Sequence, residues 1–296
     1  MDYRHRVFVA VANNLSFSKA AEELFISQPA VTRHIKELES HIGTALFLRK
    51  GNRISLTPAG EITYRYAQKA QNLYAEMEHE IGSLTHNYTG QLRIGASSTM
   101  SQYIIPPLLA EFHQRYPNIE LTLMNGNSFE MEQMLNKDLI DLALVENESS
   151  RSDLRYIKFM NDEIVVIAGS NTRVGRKKKL SLPDLQNLPM VVRERGSGTL
   201  EVIEHQLKHA GISLEKLNIL LHLGSTEAIK SFLPYFEGIG LVSLRSIEKE
   251  IQLNLLRILP VTNFSILRHF RIVLPKGPAT GFTEKFVQFL ETNKQA

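Results

Sequence analysis

The chain has 296 residues, 43% of them hydrophobic and 22% charged, with 34 Lys and Arg against 31 Asp and Glu. That length predicts two or more domains, and the composition excludes a wholly disordered chain. Cysteine is absent, which excludes disulfides, thiolate metal sites and thiol nucleophiles and points to a reducing, cytoplasmic setting.

Along the chain, the positive charge is concentrated at the start. Residues 1–58 hold eight Lys and Arg against five acids, and the remainder is balanced. A small basic module before a neutral body suits a nucleic-acid reader fused to a second function. No apolar run reaches the roughly 18 residues that a membrane span needs. The first residues carry no secretory signal pattern.

Val7, Phe8 and Val11 predict a first amphipathic helix. Ser16 or Ser18 offers a cap to a second, from Lys19 to Phe25, where the small Ala20 and Ala21 allow close helix approach. Ser27 predicts the cap of a third helix reaching about Ser40, with Pro29 in its first turn. On that helix Val31, Ile35 and Leu38 share the inward face, and Pro29, Arg33 and Lys36 share the opposite one. This is the pattern of a helix-turn-helix whose Gln28, Thr32 and Arg33 reach base edges in the major groove. A merely solvated helix face fits the same residues. Two strand-like runs, Leu46–Leu48 and Ile54–Leu56, then flank a basic turn from Arg49 to Arg53. They predict a wing, with Arg49 and Arg53 placed for phosphate or the minor groove.

The stretch Phe17-Ser-Lys-Ala-Ala-Glu-Glu-Leu24, then Ser27-Gln-Pro-Ala-Val-Thr-Arg-His-Ile-Lys-Glu-Leu-Glu39, then Gly43, Leu46-Phe47, Arg49 and Leu56-Thr-Pro-Ala-Gly60 resembles the LysR-type transcriptional regulators. The match spans about sixty residues in order. Thr32 stands where the family usually has Ser, and the hydroxyl is kept. The resemblance implies an α/β chain with an all-α winged helix-turn-helix domain at 1–58, a linker and dimerisation helix at 59–89, and an effector-binding domain at 90–296. It also implies a DNA-contact set of Ser27, Gln28, Pro29, Thr32, Arg33, Lys36, Arg49 and Arg53.

Thr57 and Pro58 open the linker helix, predicted at about 30 residues. Ile62, Tyr66, Ala70, Leu73, Met77, Ile81, Leu84 and Tyr88 recur on it every three or four positions. So long a helix with one narrow apolar stripe calls for a partner helix; packing on the chain's own body is the alternative. Ile62, Tyr66, Leu73, Met77, Ile81 and Leu84 are the expected dimerisation residues. In the resembled family this helix pairs antiparallel and spaces two DNA-reading modules.

From Gly90 strands alternate with helices, which predicts a parallel-sheet α/β region. The resemblance implies a two-lobed body like the periplasmic binding proteins, with lobe one at 90–164 plus 268–296 and lobe two at 165–267. The crossings fall near Glu163 and His269. Three strand–turn–helix junctions are candidate effector contacts, since ligands in such folds bind at the carboxyl ends of strands. One is Ser97, Ser98, Thr99 and Met100, whose hydroxyls and free N–H groups suit an anion. Simple helix capping is the competing reading, and Met100 stands where the family often has a polar residue. Another is Gly196, Ser197, Gly198 and Thr199. This glycine-rich junction resembles the family branch regulating sulphur assimilation and carbon fixation, whose members sense small anionic metabolites. The last is Ser225 and Thr226.

Other patterns carry less. Glu201, His205 and His209 share a helix face at metal-ligand spacing, but Gln206 breaks the metalloprotease pattern, and a solvated face is expected. Arg173, Arg176 and Lys177–Lys179 form a basic surface run. Asp162 and Glu163 sit at a lobe crossing, not as a catalytic pair. Neither a nucleophile triad nor Gly-x-Ser-x-Gly is present. The expectation is therefore a ligand-responsive transcription factor, not an enzyme, without cofactor or metal. Its partners would be double-stranded DNA, a small anionic effector, a second copy as dimer or dimer of dimers, and RNA polymerase, with no membrane. An enzyme or transport-type binding protein with an accessory N-terminal domain, and a constitutive DNA binder with an oligomerising body, are the competing classes.

Overall fold

The computed structural model describes residues 2–50, 53–84, 90–279 and 281–293. It divides into two units, Met1–Gly90 and Gln91–Ala296. In the first, the capping residues set the helices. Asp2 accepts from the Arg4 N–H at the start of α1 (Tyr3–Asn14), and Ser16 from the Lys19 N–H at the start of α2 (Phe17–Glu23). Ser27 accepts from the Ala30 N–H to open α3 (Gln28–Ile42), with Pro29 in the first turn. Each cap satisfies an N–H that the helix leaves unbonded. The helix α2 ends two residues before the predicted Phe25. That residue instead turns the chain at φ 53 and is exposed.

Phe8, Ala20, Val31, Ile35, Leu38, Leu46 and Phe47 are buried together as the core of this unit. β1 (Phe47–Lys50) and β2 (Arg53–Leu56) pair antiparallel as a hairpin. Thr57 then caps α4 (Pro58–Leu84) through the Gly60 N–H at 2.9 Å. Its 27 residues make it about 40 Å long. Tyr88 of the expected stripe lies outside the described residues.

The second unit is built on a nine-stranded sheet. Its chain runs β3 (Gly90–Ser97), α5 (Ile105–Arg115), β4 (Ile119–Gly126), α6 (Ser128–Asn136), β5 (Leu142–Val145) and β6 (Leu154–Gly169). It continues α7 (Leu182–Asn187), β7 (Met190–Arg193), α8 (Gly198–His209), β8 (Ile219–Leu223), α9 (Thr226–Phe232) and β9 (Ile239–Ser243). It ends α10 (Glu248–Gln252), β10 (Leu256–Ile258), β11 (Ile266–Pro275) and α11 (Gly281–Thr292). The spatial order is β4-β3-β5-β11-β6-β9-β7-β8, with β10 on β6.

The expected parallel sheet is corrected to a mixed one. β3 with β5, and β7 with β8 and β9, run parallel, as βαβ crossovers require. β11 runs antiparallel to both β5 and β6, and β6 to β9. The two antiparallel strands are much longer than the runs Ile164–Ala168 and Arg271–Leu274 suggested. β6 pairs along β11 from Leu154 to Ile164 and then pairs with β9 from Ile164 to Ile167. These two strands therefore carry the chain from one lobe to the other. A register shift between Phe270 and Arg271 bends β11 near that crossing. Each lobe has its own core. Met131, Leu135, Ile140, Ala143 and Val273 fill one. Ile164, Val166, Val192, Val202, Ile203 and Leu241 fill the other.

Candidate functional site

The DNA-directed candidates lie on the outer face of α3. Val31, Ile35 and Leu38 are fully buried, whereas Ser27, Gln28, Pro29, Arg33 and Lys36 are exposed and Thr32 is half-buried. The Arg33 side chain is 70% accessible and makes a loose contact to Glu37 at 3.7 Å. Thr32 Oγ1 donates to the Gln28 carbonyl at 3.1 Å and receives Gln28 Nε2 at 3.5 Å. The backbones of Arg49 and Arg53 lie in the hairpin. Their side chains, and residues 51–52, lie outside the described residues.

On α4, Ala67 and Gln68 are buried and Tyr64 donates to Asn13 of α1. Ile62, Tyr66, Leu73, Met77 and Ile81 lie on the exposed side as an apolar stripe, with Arg65 and Lys69 over the Tyr66 ring. The side chain of Leu84 is outside the described residues.

In the second unit the three predicted junctions gather at one edge. β3 and β5 are parallel neighbours, so Ser97–Thr99 lies beside Val145–Asn147. Thr199, in the first turn of α8, donates to Glu146 Oε1 at 3.0 Å and so ties the glycine-rich junction to that edge. The approach is close. A Cβ on Gly198 would stand 2.5 Å from Ser128 Oγ and 2.6 Å from the Asn147 nitrogen, so only glycine fits. Gly196, at φ 88, also needs glycine, and its carbonyl accepts from the Phe129 N–H at 3.3 Å. The junction at Ser225 joins through Thr226, which receives Arg193 Nη1 at 3.5 Å. Ser225 Oγ caps α9 through the Ala228 N–H at 3.1 Å, so its hydroxyl has the bland role.

Capping does not account for the rest. Ser97 is only a distant cap, 3.5 Å from the Met100 N–H. Ser98 Oγ, Thr99 Oγ1, Ser128 Oγ and Ser197 Oγ are buried and have no hydrogen-bond partner among the described residues. Buried hydroxyls in folded proteins are nearly always bonded, so four orphans at one edge are unusual. Met100 is fully buried and opens a turn of π-helix from Met100 to Ile104. Such turns are rare and concentrate at functional sites.

The sequence reading missed the charged floor of this edge. Arg268, on β11, is fully buried. It donates through Nε to Asp162 at 2.6 Å and through Nη1 to Thr199 at 2.8 Å. Its Nη2 has no partner among the described residues. Asp162 also receives the Ser243 hydroxyl at 2.8 Å, and Glu146 Oε2 is left without a donor. Arg193 is buried too, paired with Glu194 at 2.8 and 2.9 Å. Arg193 heads the glycine-rich junction and Arg268 stands just before the run Arg271–Leu274, and no local pattern marks either side chain as buried. Asp162 stands at the expected crossing, but its partner lies 106 positions away.

A further polar tie spans the edge. Tyr103, in the π-turn, donates to Glu227 of α9, and the buried Lys230 ammonium meets Glu227 and Glu250, both at 2.9 Å. Burial and the carboxylate beside it push the Tyr103 phenol well above its ordinary value. Burial opposes ionisation of Glu227, yet the Tyr103 hydroxyl and the Lys230 ammonium hold its carboxyl below the usual range.

A helix-turn-helix with a β-hairpin, followed by a two-lobed sheet with three strand–turn–helix junctions, has a counterpart among known families. Residues 4–61 match the bacterial regulatory helix-turn-helix protein, lysR family, and residues 86–295 match the LysR substrate binding domain. The chain is a LysR-family transcriptional regulator. It is 34% identical over 98% of its length to the HTH-type transcriptional regulator CysL of Bacillus subtilis, covering 97% of that protein. It is 34% identical to the RuBisCO operon transcriptional regulator of Allochromatium vinosum, over 95% of this chain and 93% of that one. The resembled branch is therefore the right one. Among solved structures, CbnR bound to its target DNA superposes with a TM-score of 0.70 at 19% identity, over 98% of both chains, and shows the shared fold. The regulatory domain of Synechocystis PCC6803 CcmR in complex with 2-PG superposes with a TM-score of 0.63 at 28% identity, over 70% of this chain and 98% of that domain. Among the described residues, no helix is long and apolar enough to cross a membrane.

Proposed function

We propose that this LysR-family regulator binds a small anionic metabolite at the edge between lobe one, 90–164 with 268–296, and lobe two, 165–267. Ser97, Ser98, Thr99 and Met100 would hold it from one side, and Gly196, Ser197, Gly198, Thr199 and Thr226 from the other. The observation that carries this reading is the set of buried donors without partners among the described residues: the hydroxyls of Ser98, Thr99, Ser128 and Ser197, and Arg268 Nη2. Donors without acceptors, beside the start of a 12-residue helix, are what an oxyanion needs. The 2-PG bound to the CcmR regulatory domain supports the same class of ligand.

The protein is then not an enzyme but a cytoplasmic switch. α3 presents Gln28, Thr32 and Arg33 to base edges, with Ser27, Pro29, Lys36, Arg49 and Arg53 contacting the backbone. The exposed stripe on α4 pairs with a second copy, as dimer or dimer of dimers. An anion can alter transcription only if it binds one lobe arrangement better than another. Tyr103 with Glu227, and Thr199 with Glu146, are the cross-edge bonds that such a change would remake.

Thermal unfolding of the full-length protein with 2-PG, sulfate and phosphate tests the reading. A true effector at 100-fold its dissociation constant stabilises by about 2.7 kcal/mol, and it also changes operator affinity. If no small anion does either, the body is an oligomerisation platform on a constitutive DNA binder.

A further inference from the structure

His205 and His209 lie one turn apart on the exposed face of α8, and their Nε2 atoms stand 3.2 Å apart. The rings are nearly perpendicular, with centroids 4.5 Å apart. On the far side of the His205 ring, Nδ1 meets Glu148 Oε2 at 2.6 Å. A carboxylate there takes the Nδ1 proton as its hydrogen-bond donor. In the neutral ring this leaves the lone pair on Nε2, the nitrogen nearest His209.

Glu148 is itself fixed. The Glu148 and Ser149 N–H groups donate to Glu201 Oε1 at 3.1 and 2.7 Å, and Ser149 Oγ donates to Glu201 Oε2 at 3.1 Å. Glu201 therefore commits its carboxylate to the loop after β5. The expected face of Glu201, His205 and His209 splits into two histidines that converge and a glutamate that orders their support.

Two nitrogens at about 2.0–2.1 Å from one tetrahedral ion stand about 3.3 Å apart. The observed 3.2 Å is close to that separation, so the helix spacing suits two ligands of one ion, and a rotation of the exposed rings aims both lone pairs at it. His209 then carries its proton on Nδ1. Among the described residues no group of three or more His, Asp or Glu side chains is placed to hold a metal. Water completes the shell, and the half-exposed His205 side chain leaves room for it. Imidazole nitrogens select Zn2+, Ni2+ or Cu2+ and disfavour Mg2+ and Ca2+, which take oxygen.

We propose that His205 and His209 form a two-nitrogen transition-metal site, with Glu148 as the carboxylate that orients His205. Because Glu148 follows β5 in one lobe and α8 belongs to the other, the Glu148–His205 contact behind the ion spans the lobes, apart from the buried anion site.

The test uses tag-free, chelator-treated full-length protein. Cu2+ titration followed by electron paramagnetic resonance, and Zn2+ titration by calorimetry, should show one ion per chain with two nitrogen ligands. His205→Gln and His209→Gln should each abolish that stoichiometric binding. Glu148→Gln should weaken it about tenfold, the usual effect of losing a carboxylate behind a ligand histidine. All three positions are exposed, and circular dichroism checks that each variant stays folded. Wild-type binding in either histidine variant, a one-nitrogen Cu2+ spectrum, or no saturable binding to the wild type would each overturn the site.

Discussion

The outer face of α3 and the floor between the lobes both concentrate polar side chains, yet they differ in one respect. On α3 the polar groups are in water. Arg33 is 70% accessible and its contact to Glu37 is loose. Between the lobes Arg268, Thr199, Glu146 and Asp162 are buried and wired to one another, with Arg268 Nη2 left over. A solvated face carries no desolvation penalty in the free protein and can be rewritten residue by residue. A buried network is part of the fold, and only its unused donors are free to serve a ligand. Substitutions in the two regions should therefore fail in different ways.

The largest effect is expected at Arg268. Arg268→Met leaves Asp162 and Glu146 buried without their cation, and removing one partner of such a pair typically costs about 3–5 kcal/mol of stability. Urea unfolding of the full-length protein measures it. Adding Asp162→Asn should recover part of the loss, because the uncompensated charge is then gone. A variant as stable as the wild type would mean that the network is decoration and that the contrast with α3 is false.

Ser98→Ala separates the two uses of buried polarity within the cleft. Its hydroxyl has no partner to lose among the described residues, so stability should stay within about 0.5 kcal/mol of wild type. Affinity for the anion found by thermal unfolding should fall by about 1.5–3 kcal/mol, roughly tenfold to hundredfold, as for a hydrogen bond to a charged group. Operator binding without ligand should not change. An unaltered anion affinity would return this turn to a structural role.

The same contrast explains what the sequence could disclose. The reading helix was legible because its signals are local. Ser27, Pro29 and the spacing of Val31, Ile35 and Leu38 lie within a dozen residues, and all behave as their pattern predicts. The three junctions were legible as strand–turn–helix punctuation around Ser98, Gly198 and Thr226. The floor was not. Arg268 meets Asp162 across 106 positions and Thr199 across 69. The histidine pair sits between these extremes. Its spacing was visible, but the carboxylate that orients it, Glu148, arrives from the other lobe. The parallel sheet was overread because β6 and β11 look like ordinary buried runs, while their antiparallel crossing is a matter of pairing alone.

The smallest effects belong to the solvated module, and there two arginines should part company. Arg33→Ala removes an exposed side chain opposite a buried face, so stability should change by no more than about 0.5 kcal/mol. If Arg33 reads a base, operator affinity falls by about 1–3 kcal/mol and binding to random DNA falls much less. Arg53 lies in β2 of the hairpin, paired with Lys50, in the most basic stretch of the module. A phosphate contact there carries no sequence information. Arg53→Ala should weaken operator and random DNA alike and flatten the salt dependence by about one unit. Fluorescence anisotropy on both DNAs over a salt series resolves the two cases. Equal losses for Arg33→Ala on both DNAs would make it a phosphate contact too, and sequence reading would then fall to Gln28 and Thr32. An unchanged salt slope for Arg53→Ala would take the wing out of the phosphate interface and leave α3 to hold the duplex by itself.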